Sequence, residues 1–125
     1  MGSAEEREGA QSEVKQGKIC EQALANLRRY LELGRLFILE SDSCEAFLRL
    51  SAVLRHRKAD MVFIDGDHSL AGVLADLMNY RELLGPGGLL CGHDETCGEV
   101  RAALRHTLGD WRKGPGSIWW RELGT

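Results

Sequence analysis

The run ADMVFID, residues 59–65, sets Met, Val, Phe and Ile in consecutive positions between two stretches of helical character. Ahead of it, Asp42 and Glu45 stand in capping-box spacing at the head of a helix expected over 43–56. Behind it, Leu70, Val73, Leu74, Leu77 and Leu84 recur at helical spacing over 70–84. A short apolar run between two such stretches reads as a buried strand, and its charges begin where it leaves the sheet. This alternation constrains the fold more than any other feature.

The same alternation continues outward. Ala23, Leu24, Leu27, Tyr30 and Leu31 predict a helix over 19–33, with Gly34 as its C-terminal cap. RLFILE (35–40) reads as a strand, as does LLCGH (89–93), with GPGG (85–88) as the turn before the latter. A helix follows over 97–108, opened by the pair Thr96 and Glu99 and stopped by Gly109. SIWWREL (117–123) is the last expected strand, with one of Trp119 and Trp120 buried and the other exposed. The order αβαβαβαβ implies an α/β fold: a mainly parallel sheet of about four strands, covered by helices on both faces. Residues 1–17 are polar and punctuated by glycine, so we expect a flexible tail ahead of one domain over 18–125.

A net charge of −3 with scattered basic residues argues against a nucleic-acid surface. No apolar run has the length of a membrane span, and the N-terminus lacks the apolar stretch of a signal peptide, so a cytoplasmic location is expected. The four cysteines show no repeated C-x-x-C spacing and read as free thiols.

In open α/β sheets ligands bind beyond the carboxyl ends of the strands. Three polar clusters fall there: ESDS (40–43), DGDHS (65–69) and HDE (93–95). Each has a plain structural explanation, since Asp42 can cap a helix, Asp67 or Ser69 can cap the next, and His93 can face solvent. Their coincidence on one edge favours a site. Asp65, His93 and Asp94 offer oxygen ligands and one nitrogen to Mg²⁺ or Mn²⁺. Asp67 and His68 stand close by as candidate acid–base groups.

The stretch ADMVFIDGDHSLAGVLADLMNYRELLGPGGLLCGHDE (59–95) resembles the class I S-adenosylmethionine-dependent methyltransferases. It is most similar to the small-molecule O-methyltransferase branch, whose members carry IDGDHSY…DL…L.PGG…GHD. The likeness extends more weakly over 19–123. It implies an incomplete Rossmann-like three-layer sandwich, S-adenosylmethionine as methyl donor, a small-molecule hydroxyl as acceptor, and Mg or Mn in the metal-dependent members. It places Asp42 and Ser43 at the adenine, and Asp65 near the donor and as a metal ligand. His93 and Asp94 match the other ligand pair, usually Asp-Asp or Asp-Asn. Asp67 or His68 matches the region of the base.

The family opens with a strand and a Gly-rich loop that cradle the donor, and residues 1–35 contain no G-x-G. The resemblance therefore implies a truncated form with impaired donor binding. In the family two strands lie between those equivalent to 35–40 and 59–65, a gap of about 14 Å. Either the 35–40 strand closes up beside its neighbour, or a second copy fills the space and makes a homodimer through exposed sheet edges. Two other readings remain open. FIDGDHSL resembles the D-x-D-x-[ST] opening of haloacid-dehalogenase phosphohydrolases, though the only Lys after His68 is Lys113. A non-enzymatic, self-associating interaction module is the other.

Overall fold

A computed structural model describes residues 21–124; the expected tail over 1–17 lies outside the described residues. The chain divides into two units, Met1–Leu39 and Glu40–Thr125.

In the first unit, helix α1 is described over 21–32. Gly34 then takes φ 67, and Arg35 N–H donates to the Tyr30 carbonyl at 3.0 Å. Glycine makes this left-handed closure without a Cβ penalty. The strand expected over 35–40 does not form. None of the sheet's strands comes from it, and Phe37 is 83% exposed. Apolarity alone cannot make a strand, because a strand exists only where a neighbour satisfies its backbone groups.

The second unit runs α2 (Ser43–Leu54), β1 (Ala59–Ile64), α3 (Leu70–Tyr80), a 3₁₀ turn (Arg81–Leu83), β2 (Leu84–Gly92), α4 (Gly98–Thr107), β3 (Arg112–Lys113) and β4 (Trp119–Glu122). Asp42 caps α2 as expected, accepting the Glu45 N–H at 2.9 Å. Ser69 caps α3, accepting the Gly72 N–H at 3.1 Å. The capping pair expected at α4 is not made: Cys97 holds the N-cap position without a side-chain bond. Gly109 does end α4, with φ 81.

The sheet order is β1-β2-β4-β3. Only β1 and β2 pair in parallel; β4 pairs antiparallel with both β2 and β3, so the four-stranded sheet is mixed rather than mainly parallel. The cause lies in 114–117, GPGS. Gly116 takes φ 64 there, and the turn joins β3 to β4 as a hairpin, which is antiparallel by construction. The helical crossover through α4 still delivers a parallel strand, β3, but β4 folds back between it and β2. The glycines of 85–88 also depart from expectation. They lie inside β2, where the register steps from Ala59↔Leu84 to Met61↔Leu89, an excess of three residues on β2. The Leu123 N–H to Gly88 carbonyl bond, 2.9 Å, ties this bulge to the chain after β4.

The core sits on one face of the sheet. Val73 and Leu77 of α3 and Val100, Ala103 and Leu104 of α4 pack on Leu84 and Leu90 of β2 and Trp119 of β4. Helix α2 leans on α3, where Phe47 meets Tyr80 edge to face with ring centroids 5.8 Å apart. Met61 and Phe63 alternate to the other face of β1 and are 59% and 49% exposed, so the three-layer arrangement is incomplete. Trp119 is buried and Trp120 half-buried, with the Arg112 guanidinium 5.3 Å from its ring centroid.

The tightest point of the core is Gly92. A Cβ there would lie 2.5 Å from both the Ile64 carbonyl oxygen and Trp119 Cζ2. Gly92→Ala should therefore cost roughly 1–3 kcal/mol and lower the urea midpoint. Gly98→Ala, with open space at its Cβ position, should not lower it. Equal midpoints for the two variants would show that Gly92 is not under this constraint.

Candidate functional site

Parallel strands finish at the same edge of a sheet, and Ile64 at the end of β1 faces Gly92 at the end of β2. One residue further, His93 N–H donates to the Ile64 carbonyl at 3.2 Å. Asp65 and His93 thus leave the sheet side by side. The chain from Asp65 runs through Gly66, Asp67 and His68 into α3, and the chain from His93 runs through Asp94 and Glu95 towards α4.

These two loops bring acids and imidazoles together. His68 Nε2 lies 2.6 Å from Asp94 Oδ2. His93 Nδ1 lies 3.2 Å from Asp94 Oδ1 and 3.7 Å from Asp65 Oδ1. Asp94 sits at the centre with φ 63, a left-handed conformation that Asp adopts more readily than most residues. Asp65, His68 and Asp94 each offer a ligand atom within 4.8 Å of the other two. Two carboxylates and an imidazole fit Mn²⁺ better than Mg²⁺, which favours an all-oxygen shell. The sequence pointed to His93 as the nitrogen ligand. The structure brings His68 into the tight group and leaves His93 beside it, touching both acids.

The remaining candidates have local partners. Asp67 accepts from Ser69 N–H at 2.9 Å and Ser69 Oγ at 3.0 Å. The backbone bond first, then the hydroxyl, holds its carboxyl below the usual range, so it stays ionised at neutral pH. The Asp42 carboxylate is taken up by the α2 cap. The Ser43 carbonyl accepts the Tyr80 hydroxyl at 2.6 Å. Burial, then the neighbouring Asp76, raises the Tyr80 pKa and keeps that hydroxyl a donor. Ser43 and Asp65 share a cavity of about 280 Å³ at the outer edge of β1, bounded also by Val62–Ile64 and by Asp76 and Tyr80 of α3. Lys113 pairs with Glu95 at 3.7 Å, so the lysine a phosphohydrolase would need is engaged elsewhere.

Glu95 is not a site residue of the kind its HDE context suggested. It is 4% exposed, and its carboxylate receives Arg101 Nε at 3.1 Å, Arg101 Nη2 at 3.2 Å and Trp111 Nε1 at 3.3 Å. Its own N–H donates to the Ser117 carbonyl at 2.9 Å, while Trp119 Nε1 donates to the His93 carbonyl at 3.2 Å. Both neighbours of Asp94 are therefore pinned. Asp76 is the D of the DL in the family motif, and sequence reasoning assigned it no role. Its place between Val73 and Tyr80 on the core side of α3 was the available signal.

The parallel pair, the crossover helices and a polar edge beyond the strand ends fit a partial Rossmann-like fold. A family model described as a methyltransferase domain matches residues 4–95, and the chain belongs to that family. Among solved structures it is similar to the apo form of CalS11, a TDP-rhamnose 3'-O-methyltransferase of calicheamicin biosynthesis. That match has 20% identity and a TM-score of 0.58, covering 70% of this chain and 41% of that one. A second structure, described as CalS11, calicheamicin methyltransferase, matches with the same identity and TM-score over 70% of this chain and 37% of that one. The chain thus spans less than half the length of these solved relatives. No curated protein matches it. No helix among the described residues is long and apolar enough to cross a membrane.

The Arg101 guanidinium, foremost among its partners, holds the Glu95 carboxyl below its usual range. A depressed folded-state pKa contributes stability above the unfolded value and loses it as pH falls through the folded one. Glu95→Gln should be less stable than the parent by roughly 1–3 kcal/mol at neutral pH. The gap should narrow below the ordinary carboxylate range, as read by urea unfolding across pH. A gap independent of pH would contradict this.

Proposed function

We propose that this chain carries the acceptor side of an S-adenosylmethionine-dependent methyltransferase that transfers a methyl group to a small-molecule hydroxyl. The observation that carries the reading is the meeting of Asp65, His68 and Asp94 at the carboxyl ends of the parallel pair. His68 is the base. Asp94 holds its Nε2 at 2.6 Å, which leaves Nδ1 to take the acceptor's hydroxyl proton, and the side chain is 57% exposed and open to a substrate. Asp67, ionised and one residue away, supports the same role. Family membership and the likeness to a sugar O-methyltransferase support the acceptor class.

The donor supplies the methyl group. The cavity beside Ser43 and Asp65 is the place for it, while Asp42, next in sequence to Ser43, is engaged in the α2 cap. Asp65, Asp94 and His93 would hold a divalent cation, whose charge would favour the ionised acceptor oxygen and leave His68 free as the base. The free thiols among the described residues support a cytoplasmic location, and the net charge of −3 supports a role away from nucleic acid.

A second reading rests on the outer edge of β1. No strand pairs with it among the described residues, and Met61 and Phe63 beside it are exposed. Such an edge supports a homodimer, with or without catalysis. Sedimentation at a monomer mass across concentration would remove this reading.

Isothermal titration with S-adenosylmethionine tests the first reading, and no heat up to about millimolar donor, roughly −4 kcal/mol, would defeat it. Given binding, His68→Ala should slow methyl transfer to a panel of small hydroxyl compounds about 10²–10⁴-fold. Donor affinity should stay unchanged.

A further inference from the structure

Asp76 is 6% exposed, and its Oδ1 is the single buried side-chain oxygen or nitrogen among the described residues that has no hydrogen-bond partner. A buried polar atom without a partner destabilises the fold that holds it. An apolar residue at this position of α3 would pack against the same core without that cost. The Tyr80 hydroxyl, one turn further along α3, does not relieve it, because it donates to the Ser43 carbonyl instead.

The surroundings show where a partner would come from. Asp76 bounds the cavity of about 280 Å³ at the edge of β1. Gly66 forms part of the same wall, and a Cβ there would lie 3.4 Å from Asp76 Oδ2, so the carboxyl stands directly behind the first turn of the site loop. Asp65 and Asp76 both border this space, and among the described residues no Lys or Arg does. The cavity is therefore rich in acceptors and short of donors. Its occupant must bring N–H or O–H groups, together with an apolar surface for Val62, Phe63 and Ile64.

We infer that Asp76 is a binding residue for the methyl donor, its carboxyl turning at the wall of the β1-edge cavity so that the oxygen sealed in the ligand-free chain accepts an N–H or O–H group of S-adenosylmethionine. This rests on the reading proposed above. It adds a contact from the floor of the pocket, on a helix that none of the strand-end clusters includes. It also assigns a reason to the unpartnered atom: the ligand-free chain gives up stability that the bound donor restores.

The test uses the full chain with Asp76→Asn and Asp76→Leu, thermal unfolding without ligand, and titration with S-adenosylmethionine. Both variants should melt at or above the parent temperature, since no native partner is lost. Asp76→Leu should bind the donor roughly tenfold more weakly or worse. If both variants melt lower, Asp76 is a structural acid and the inference is overturned. If they melt higher while Asp76→Leu keeps parental affinity, the oxygen serves something other than the donor, such as a chain segment docked on β1. That result also overturns it, yet leaves the methyltransferase reading intact. If the parent itself binds no donor, that reading falls, and the assignment of Asp76 to the donor falls with it.

Discussion

The parallel pairing of β1 with β2, in the register that sets Ile64 against Gly92, is the constraint on which the rest of this fold depends. It sends two loops out from the same edge, and it sets Asp65 and His93 one step beyond the last ladder bond. The pairing holds that register because Gly92 has no side chain. Trp119 fills the space a Cβ would take, buries its ring against the strand, and still turns its indole N–H to the His93 carbonyl. A one-residue slip would turn Leu90 out of the core and move His93 away from Asp65. Packing and chemistry are thus fixed by the same few atoms.

The sheet is finished unevenly. At the β4 side it closes with a short hairpin, and Glu95 binds that hairpin to α4 through Arg101, Trp111 and Lys113. At the β1 side the last strand has no neighbour among the described residues, and its outward face keeps Met61 and Phe63 in contact with water. The rigid side holds Asp94 between two anchored residues. The open side holds the cavity and, among the described residues, the one unsatisfied buried side-chain oxygen. A binding site needs both qualities: fixed reacting groups and a surface whose demands are met only when something arrives.

Much of this was legible in the sequence because it depends on local rules. The helices α2, α3 and α4, the strand β1 and the caps at Asp42 and Ser69 follow from spacing and from polar atoms near helix ends. The meeting of 65–68 with 93–94 followed from one topological rule about strand ends. What escaped depended on partners distant in the chain. RLFILE has the composition of a strand and no strand beside it. GPGG has the composition of a turn, yet bulges within β2 because Leu84 and Leu89 both find places opposite β1. His68 meets Asp94 because the turn into α3 carries it there, and Glu95 is buried among Arg101 of α4, Trp111 and Lys113. The hairpin at 114–117 was written in Pro115 and Gly116, and the expected run of parallel strands hid it.

The indole groups of this chain have an optical consequence. It has three tryptophans, and two donate their ring N–H to the residues on either side of Asp94: Trp119 to the His93 carbonyl and Trp111 to the Glu95 carboxylate. Indole emission responds to the field and hydrogen bonding at its nitrogen. The loop that carries the reacting acid is therefore wired to the protein's own fluorescence, and any occupant that shifts Asp94 will change the colour of the light the molecule emits.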